Sequence, residues 1–223
     1  LQKTPVVHIT TTIRQKETTT SHQALLMAPF ATQQGIFNSR LTKSADEIKA
    51  IGQYFNHDAY IDQYASKTAF LDKVATASII HLATHAVANT ENPLQSHIQF
   101  YEEEIIDPAQ TSLTLPEIYG LQLNASLVTL SACETGIGKE IKGKGIQSMA
   151  NAFTHAGASS TLMSLWKVPD TETTTIMTGF YKYLSEGMSK DEALQQSKLD
   201  YLNSNMDYPT LQHPYYCLAT SLL

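Results

Sequence analysis

The run Val128-Thr129-Leu130-Ser131-Ala132-Cys133-Glu134-Thr135-Gly136 constrains the fold more than any other part of the chain. It stays β-branched and aliphatic until it stops on a cysteine, and Gly136 and Gly138 then turn it. Such a run reads as a buried strand feeding a tight loop. A second run, Ile79-Ile80-His81-Leu82-Ala83-Thr84-His85, ends in the same way on a histidine. In an open parallel sheet the carboxyl ends of the strands line the crevice where ligands bind. Two such strands ending on His85 and Cys133 make these residues a candidate base and nucleophile.

The rest of the chain alternates in the same style. Ala24 to Ala28 is a short buried strand stopped by Pro29, and Val6 to Ile9 could form an edge strand before it. Ser44 and Glu47 have the spacing of a capping box for a helix that ends near Asn56 and turns Ile48, Ile51 and Phe55 to one face. Ala59 to Ile61 is a strand, and Ser66 caps a helix carrying Phe70, Leu71 and Val74. A loop from Ala86 to Gln95 follows the histidine. Ile98 to Tyr101 is a strand of a small antiparallel ribbon near the site, and Glu102 to Glu104 is a solvated turn. Leu115-Pro116 opens a short helix. Ile146, Met149, Ala150 and Phe153 mark a helix ending at Gly157. Ser160 to Trp166 is a strand, and Pro169-Asp170 opens a helix with Ile176, Met177, Phe180 and Tyr183 inward. Ser189 and Glu192 cap a last helix to about Asn203, and Tyr215 to Leu218 is a closing strand. Strands alternating with helices predict a mostly parallel sheet covered on both faces. With no internal repeat and no interdomain linker, residues 1–223 are expected to form one domain, 1–23 being a peripheral N-terminal segment.

Composition excludes several function classes. The 223 residues carry a net charge of -6, so there is no electrostatic footprint for nucleic acid. No apolar run approaches the roughly 20 residues of a membrane span, and no charged start with an apolar core marks export. The two cysteines, Cys133 and Cys217, form no CxxC pair, which argues against a disulfide framework or a cysteine-rich zinc site and suits the cytoplasm. A first residue of leucine rather than methionine suggests a piece of a longer polypeptide.

Each candidate has a bland counterpart. A lone cysteine in apolar surroundings is commonly an inert filler. Against that stand its strand-end position, the glycines after it and the partner histidine, because a reactive thiolate needs a partly open, electropositive setting. His81 and His85 have the outer spacing of a zincin helix, but Leu82 stands where that motif needs glutamate. On a strand the two lie about 13 Å apart at about 3.3 Å per residue, too far to share a metal. His81 is then a core histidine bonded to backbone. Gly138 to Gly145 imitates a phosphate-binding loop, yet Gly145 replaces the magnesium-binding Ser or Thr. No cofactor and no metal are therefore expected, and the loop reads as a movable wall of the site. Trp166 offers an apolar wall to a groove, unless it is only a core edge, and Asp170 an acidic contact, unless it is only the N-cap of its helix.

The motifs Ile80-His81-Leu82-Ala83-Thr84-His85, Thr129 to Gly136 and Ser164-Leu165-Trp166-Lys167-Val168 closely resemble those of the CHAT domain, a caspase- and separase-like family often attached to tetratricopeptide repeats. Glu91 to Leu94, Gly145 to Gly157 and His213 to Tyr216 match in the same order, and 48 residues separate His85 from Cys133, near the roughly 50 of caspase-type enzymes. The resemblance implies a caspase-like three-layer αβα sandwich, Cys133 as nucleophile and His85 as general acid/base. It implies an oxyanion hole from the backbone amides of Ala86 and Cys133, with Ala86 in place of the usual glycine, so that a positive φ there would be strained. Cys217 replaces an expected tryptophan and suits core packing. The implied partners are a protein or peptide substrate and a regulatory repeat region or partner protein. The alternative is a catalytically idle CHAT module used for interaction or signalling.

Overall fold

Four apolar runs that alternate their side chains between two covered faces define the centre of the molecule. In a computed structural model, residues 23–32, 40–89, 91–102, 111–131, 144–164, 169–217 and 220–223 are described, with backbone alone at 144–148 and 217. The expected Val6 strand, Cys133 with the glycine loop as far as Gly143, Trp166 and the Cys217 side chain lie outside this description.

The main sheet has the order β2-β1-β3-β7-β8-β9. Its strands are β1 (Gln23–Ala28), β2 (Asn56–Ile61), β3 (Ile79–Leu82), β7 (Leu127–Leu130), β8 (Thr161–Ser164) and β9 (Thr220–Leu222). All neighbours are parallel except β9, which runs antiparallel to β8. Leu25, Met27, Ile80, Leu82, Val128, Leu130 and Met163 fall on one face, and Ala24, Leu26, Ile79, Leu127 and Leu162 on the other. Burying a side chain of this size contributes about 1.5–3 kcal/mol.

The first face packs on α2 (Lys67–Val74), α3 (Leu115–Gly120) and α4 (Lys144–Ala156), and on a small antiparallel sheet in the order β4-β5-β6. These three strands are β4 (Ala86–Val87), β5 (His97–Gln99) and β6 (Ser112–Thr114). The second face packs on α1 (Ser44–Gly52), α5 (Asp170–Ser185) and α6 (Lys190–Ser204). The result is the three-layer αβα sandwich expected, with the antiparallel ribbon beside His85.

Several local expectations are corrected. Ser44 is the first residue of α1, not its cap, and its hydroxyl donates to the Leu41 carbonyl at 2.7 Å. Its partner in the supposed capping box, Glu47, is drawn into the core by a histidine instead. The helix stops at Gly52, and Asn56 already begins β2. Leu71 faces solvent while Phe70 and Val74 are buried. Ala86 and Val87 form β4 rather than loop. In α5 it is Tyr181 that is fully buried; Tyr183 is half-buried, its hydroxyl donating to Asp200. Pro214–Cys217 is a short helix, α7, because Pro214 suits a first helical turn, and the closing strand is β9 beyond it. Ser66, by contrast, caps α2 through Ala69 N–H at 3.1 Å, and Ser189 with Glu192 forms the expected box on α6.

Candidate active site

In this strand order the chain leaves β1 to one side for β2 and returns on the other for β3. The crevice at such a switch, outside the carboxyl ends of the strands, is where open α/β sheets bind ligands. His85 lies three residues beyond the end of β3 and is 0% exposed. From the other side of the switch comes Phe30, just after β1, whose ring packs on the imidazole at 5.1 Å between centroids and 30° between planes. The turn bearing Phe30 is pinned: Thr32 donates from its backbone N–H at 2.8 Å and its hydroxyl at 2.6 Å to the Asp62 carboxylate. Asp62 follows β2 and holds φ 50, the left-handed region that aspartate tolerates better than most residues.

The register of the central strands bears on the expected dyad. β3 and β7 pair in parallel with His81 opposite Thr129 and Leu82 opposite Leu130. His85 and Cys133 each stand three residues further along their chains. Ser131, the last residue described before the glycine loop, donates its N–H to the Leu82 carbonyl at 3.0 Å, so the pairing persists beyond β7.

The ribbon supplies the other side of His85. Ala86 pairs with Ile98 and Val87 with His97, and the Gln99 N–H donates to the His85 carbonyl at 2.9 Å. Hydrogen-bonded and non-hydrogen-bonded pairs alternate in an antiparallel ladder. The Gln99–His85 bond therefore makes Ala86–Ile98 a non-hydrogen-bonded pair and turns the Ala86 N–H away from β5, toward the open edge of the small sheet. Among the described non-glycine residues Asp62 alone has positive φ, so alanine at 86 carries no such backbone strain.

His81 has the opposite fate. It is 0% exposed on the second face of β3, and side chains, not the backbone as expected, satisfy it. Its Nε2 lies 2.7 Å from Glu47 Oε1 and its Nδ1 3.1 Å from the Tyr181 hydroxyl. That hydroxyl also lies 2.7 Å from Thr129 Oγ1, and Thr174 donates to the second Glu47 oxygen at 3.0 Å. Burial pushes the Tyr181 phenol up, an effect the Glu47 charge reinforces and the Thr129 bond opposes, so the group stays protonated. Both ring nitrogens of His81 are thus engaged, and the Tyr181 hydroxyl bridges the imidazole to Thr129. This cluster ties β3 to β7 four residues before His85 and Cys133.

Asp170 is the first residue of α5, with Pro169 in the N-cap position, so the N-cap alternative does not hold. It shares that first turn with Glu172. Among the described residues no cluster of three or more His, Cys, Asp or Glu could hold a metal ion, and no helix is long and apolar enough to cross a membrane. Sequence reasoning missed Phe30, Glu47, Tyr181 and Gln99. Only Gln99 left a signal, as a polar residue between Ile98 and Phe100.

Comparison with known proteins agrees with this architecture. Residues 2–217 match the CHAT domain family model. Tetratricopeptide repeat protein 28 of Mus musculus is 22% identical over 187 residues, a match covering 70% of the chain and 8% of that protein. Its Homo sapiens counterpart is 23% identical over 187 residues, with the same 70% and 8% coverage. The chain thus spans only a small fraction of the length of these relatives. Among solved structures, the Arg specific cysteine proteinase gingipain R superposes with a TM-score of 0.53 at 9% identity, covering 90% of this chain and 45% of that one. At that identity the likeness speaks for the fold alone. The chain belongs to the CHAT domain family and is built on a caspase-like αβα sandwich.

Proposed function

We propose that the chain is a cysteine endopeptidase working through His85 and Cys133. The observation that carries this reading is the parallel register of β3 and β7, from which His85 and Cys133 each follow at the same distance. Family membership and a caspase-like fold supply the context in which such a pair is used. The Cys133 thiolate attacks the scissile carbonyl carbon, forming the C–S bond, and the oxyanion is held by the backbone N–H groups of Cys133 and Ala86. His85 protonates the leaving amine as the C–N bond breaks. Water, deprotonated by His85, then hydrolyses the thioester and frees the thiol.

A groove past Trp166 and Asp170 gives the substrate an apolar wall and an acidic contact, the former favouring an apolar residue and the latter Lys or Arg. The substrate is a protein, the setting is the cytoplasm, and repeats or a partner protein control access, as the tetratricopeptide-repeat relatives suggest. The competing idea of an idle interaction module draws on Ala86, which carries no positive φ, and on a neighbouring region being needed to order the loop after Cys133. The test is Cys133→Ala in the intact protein, read by cleavage of a bound partner and by circular dichroism. Cleavage should fall to a residual rate with the fold unchanged; cleavage at the wild-type rate would end the assignment.

A further inference from the structure

Gln99 is 1% exposed, and neither its Nε2 nor its Oε1 has a hydrogen-bond partner among the described residues. Burying an amide without partners is costly, and native proteins rarely tolerate it without a reason. Its position supplies one. The ladder that pairs Ala86 with Ile98 sets Gln99 opposite His85, and directly opposite residues of an antiparallel pair project from the same face. Ala86 and Ile98 face the core, so Gln99 and His85 share the other side. The backbone of Gln99 is fixed at both ends: its N–H bonds the His85 carbonyl at 2.9 Å, and its carbonyl accepts the Thr84 hydroxyl at 2.6 Å. An unsatisfied carboxamide is thus carried on a fixed backbone position opposite the histidine.

A carboxamide offers one acceptor and two donors, the complement of a peptide group, which presents one N–H and one C=O. We propose that the Gln99 side chain is a substrate-binding group that takes a main-chain amide of the bound peptide next to His85. This rests on the His85–Cys133 reading. On binding, the two buried polar groups that folding leaves unpaired become paired, so the fold's loss is recovered as affinity for an extended peptide. A site built to hydrogen-bond its substrate discriminates strongly against ligands that cannot reply.

The test uses Gln99→Met, which keeps the length and removes the amide, with Gln99→Leu as a second variant. Alkylation of Cys133 in the intact protein is timed with iodoacetamide and with a library of peptidyl acyloxymethyl ketones. The ratio of peptidyl to iodoacetamide rate should fall tenfold or more in both variants, while the urea midpoint of Gln99→Met stays equal or rises. A ratio within twofold of wild type, or a lowered midpoint for Gln99→Met, would overturn the proposal, the latter because the amide would then be paired within the fold. His85→Gln separates the two readings. If that variant keeps wild-type rates, the dyad falls and this proposal with it; if the rates need His85 but ignore Gln99, this proposal falls alone.

Discussion

Two histidines four residues apart on the same run of chain meet opposite surroundings. His81 sits within β3, opposite Thr129, where α1 and α5 close over it and Glu47 and Tyr181 occupy both ring nitrogens. His85 sits past the strand end, where β3 leaves the sheet, and meets the Phe30 ring and the Gln99 position of the ribbon. Burial does not separate them, since both are fully enclosed. The difference is topological: a side chain on a covered strand must be satisfied by the fold, whereas one beyond the strand end at the switch point faces the crevice. The first histidine therefore stabilises the molecule, and the second stands at the switch point where open sheets bind ligands.

The sharpest way to break this comparison is to exchange the losses. His85→Gln should lower cleavage by about 10²–10⁴-fold, the usual worth of a general acid/base. His81→Leu should cost about 1–3 kcal/mol of stability, because the buried Glu47 carboxylate and the Tyr181 hydroxyl each lose a hydrogen-bond partner. Its activity should fall only with the folded fraction, as urea melts run beside cleavage assays would show. A cleavage defect in folded His81→Leu would mean that the cluster reaches the site. Tyr181→Phe should cost about 1–3 kcal/mol, since one hydroxyl serves both His81 and Thr129.

The smallest effect lies outside both histidines. Partial burial acts to raise the Glu117 carboxyl, but hydrogen bonds from Lys67 and Thr114, with the Lys67 charge, outweigh it and hold the group below its ordinary value. A folded value below the unfolded one means stability that is present above the ordinary carboxylate pKa of about 4.3 and is lost as pH falls through the folded value. The Glu117 side chain is 45% exposed, so solvent screening limits this to less than about 1 kcal/mol. Glu117→Gln should flatten the acid limb of a stability-versus-pH curve by that amount and leave the His81 and His85 effects unchanged.

What the sequence disclosed follows the range of the forces involved. The central strands were legible because both faces are covered, so each reads as a continuous apolar run. Ser66, Ser189 and Gly157 announced helix ends through local chemistry alone. Ser44 and Glu47 offered the same local signal and misled, because the Glu47 carboxylate is claimed by a histidine 34 positions away that no short pattern can reveal. Tyr215-Tyr216 suggested a strand through aromatic β-preference, while Pro214 before them sets a helical turn. For the candidate site, the strand-end position of His85 was readable. The neighbours that shape it were not, since Phe30 and Gln99 reach it only through the β1/β3 switch and the antiparallel ribbon.

The central claim is that His85 and Cys133 act as one unit, and a double-mutant cycle tests it most directly. Residues that act as a unit are grossly non-additive: once one is removed, losing the other costs little more. Cleavage of a common substrate by the intact protein should fall to the same residual rate in Cys133→Ala, His85→Gln and the double variant. A double variant whose loss is the product of the two single losses, or a His85→Gln protein that cleaves at the wild-type rate, would contradict the account.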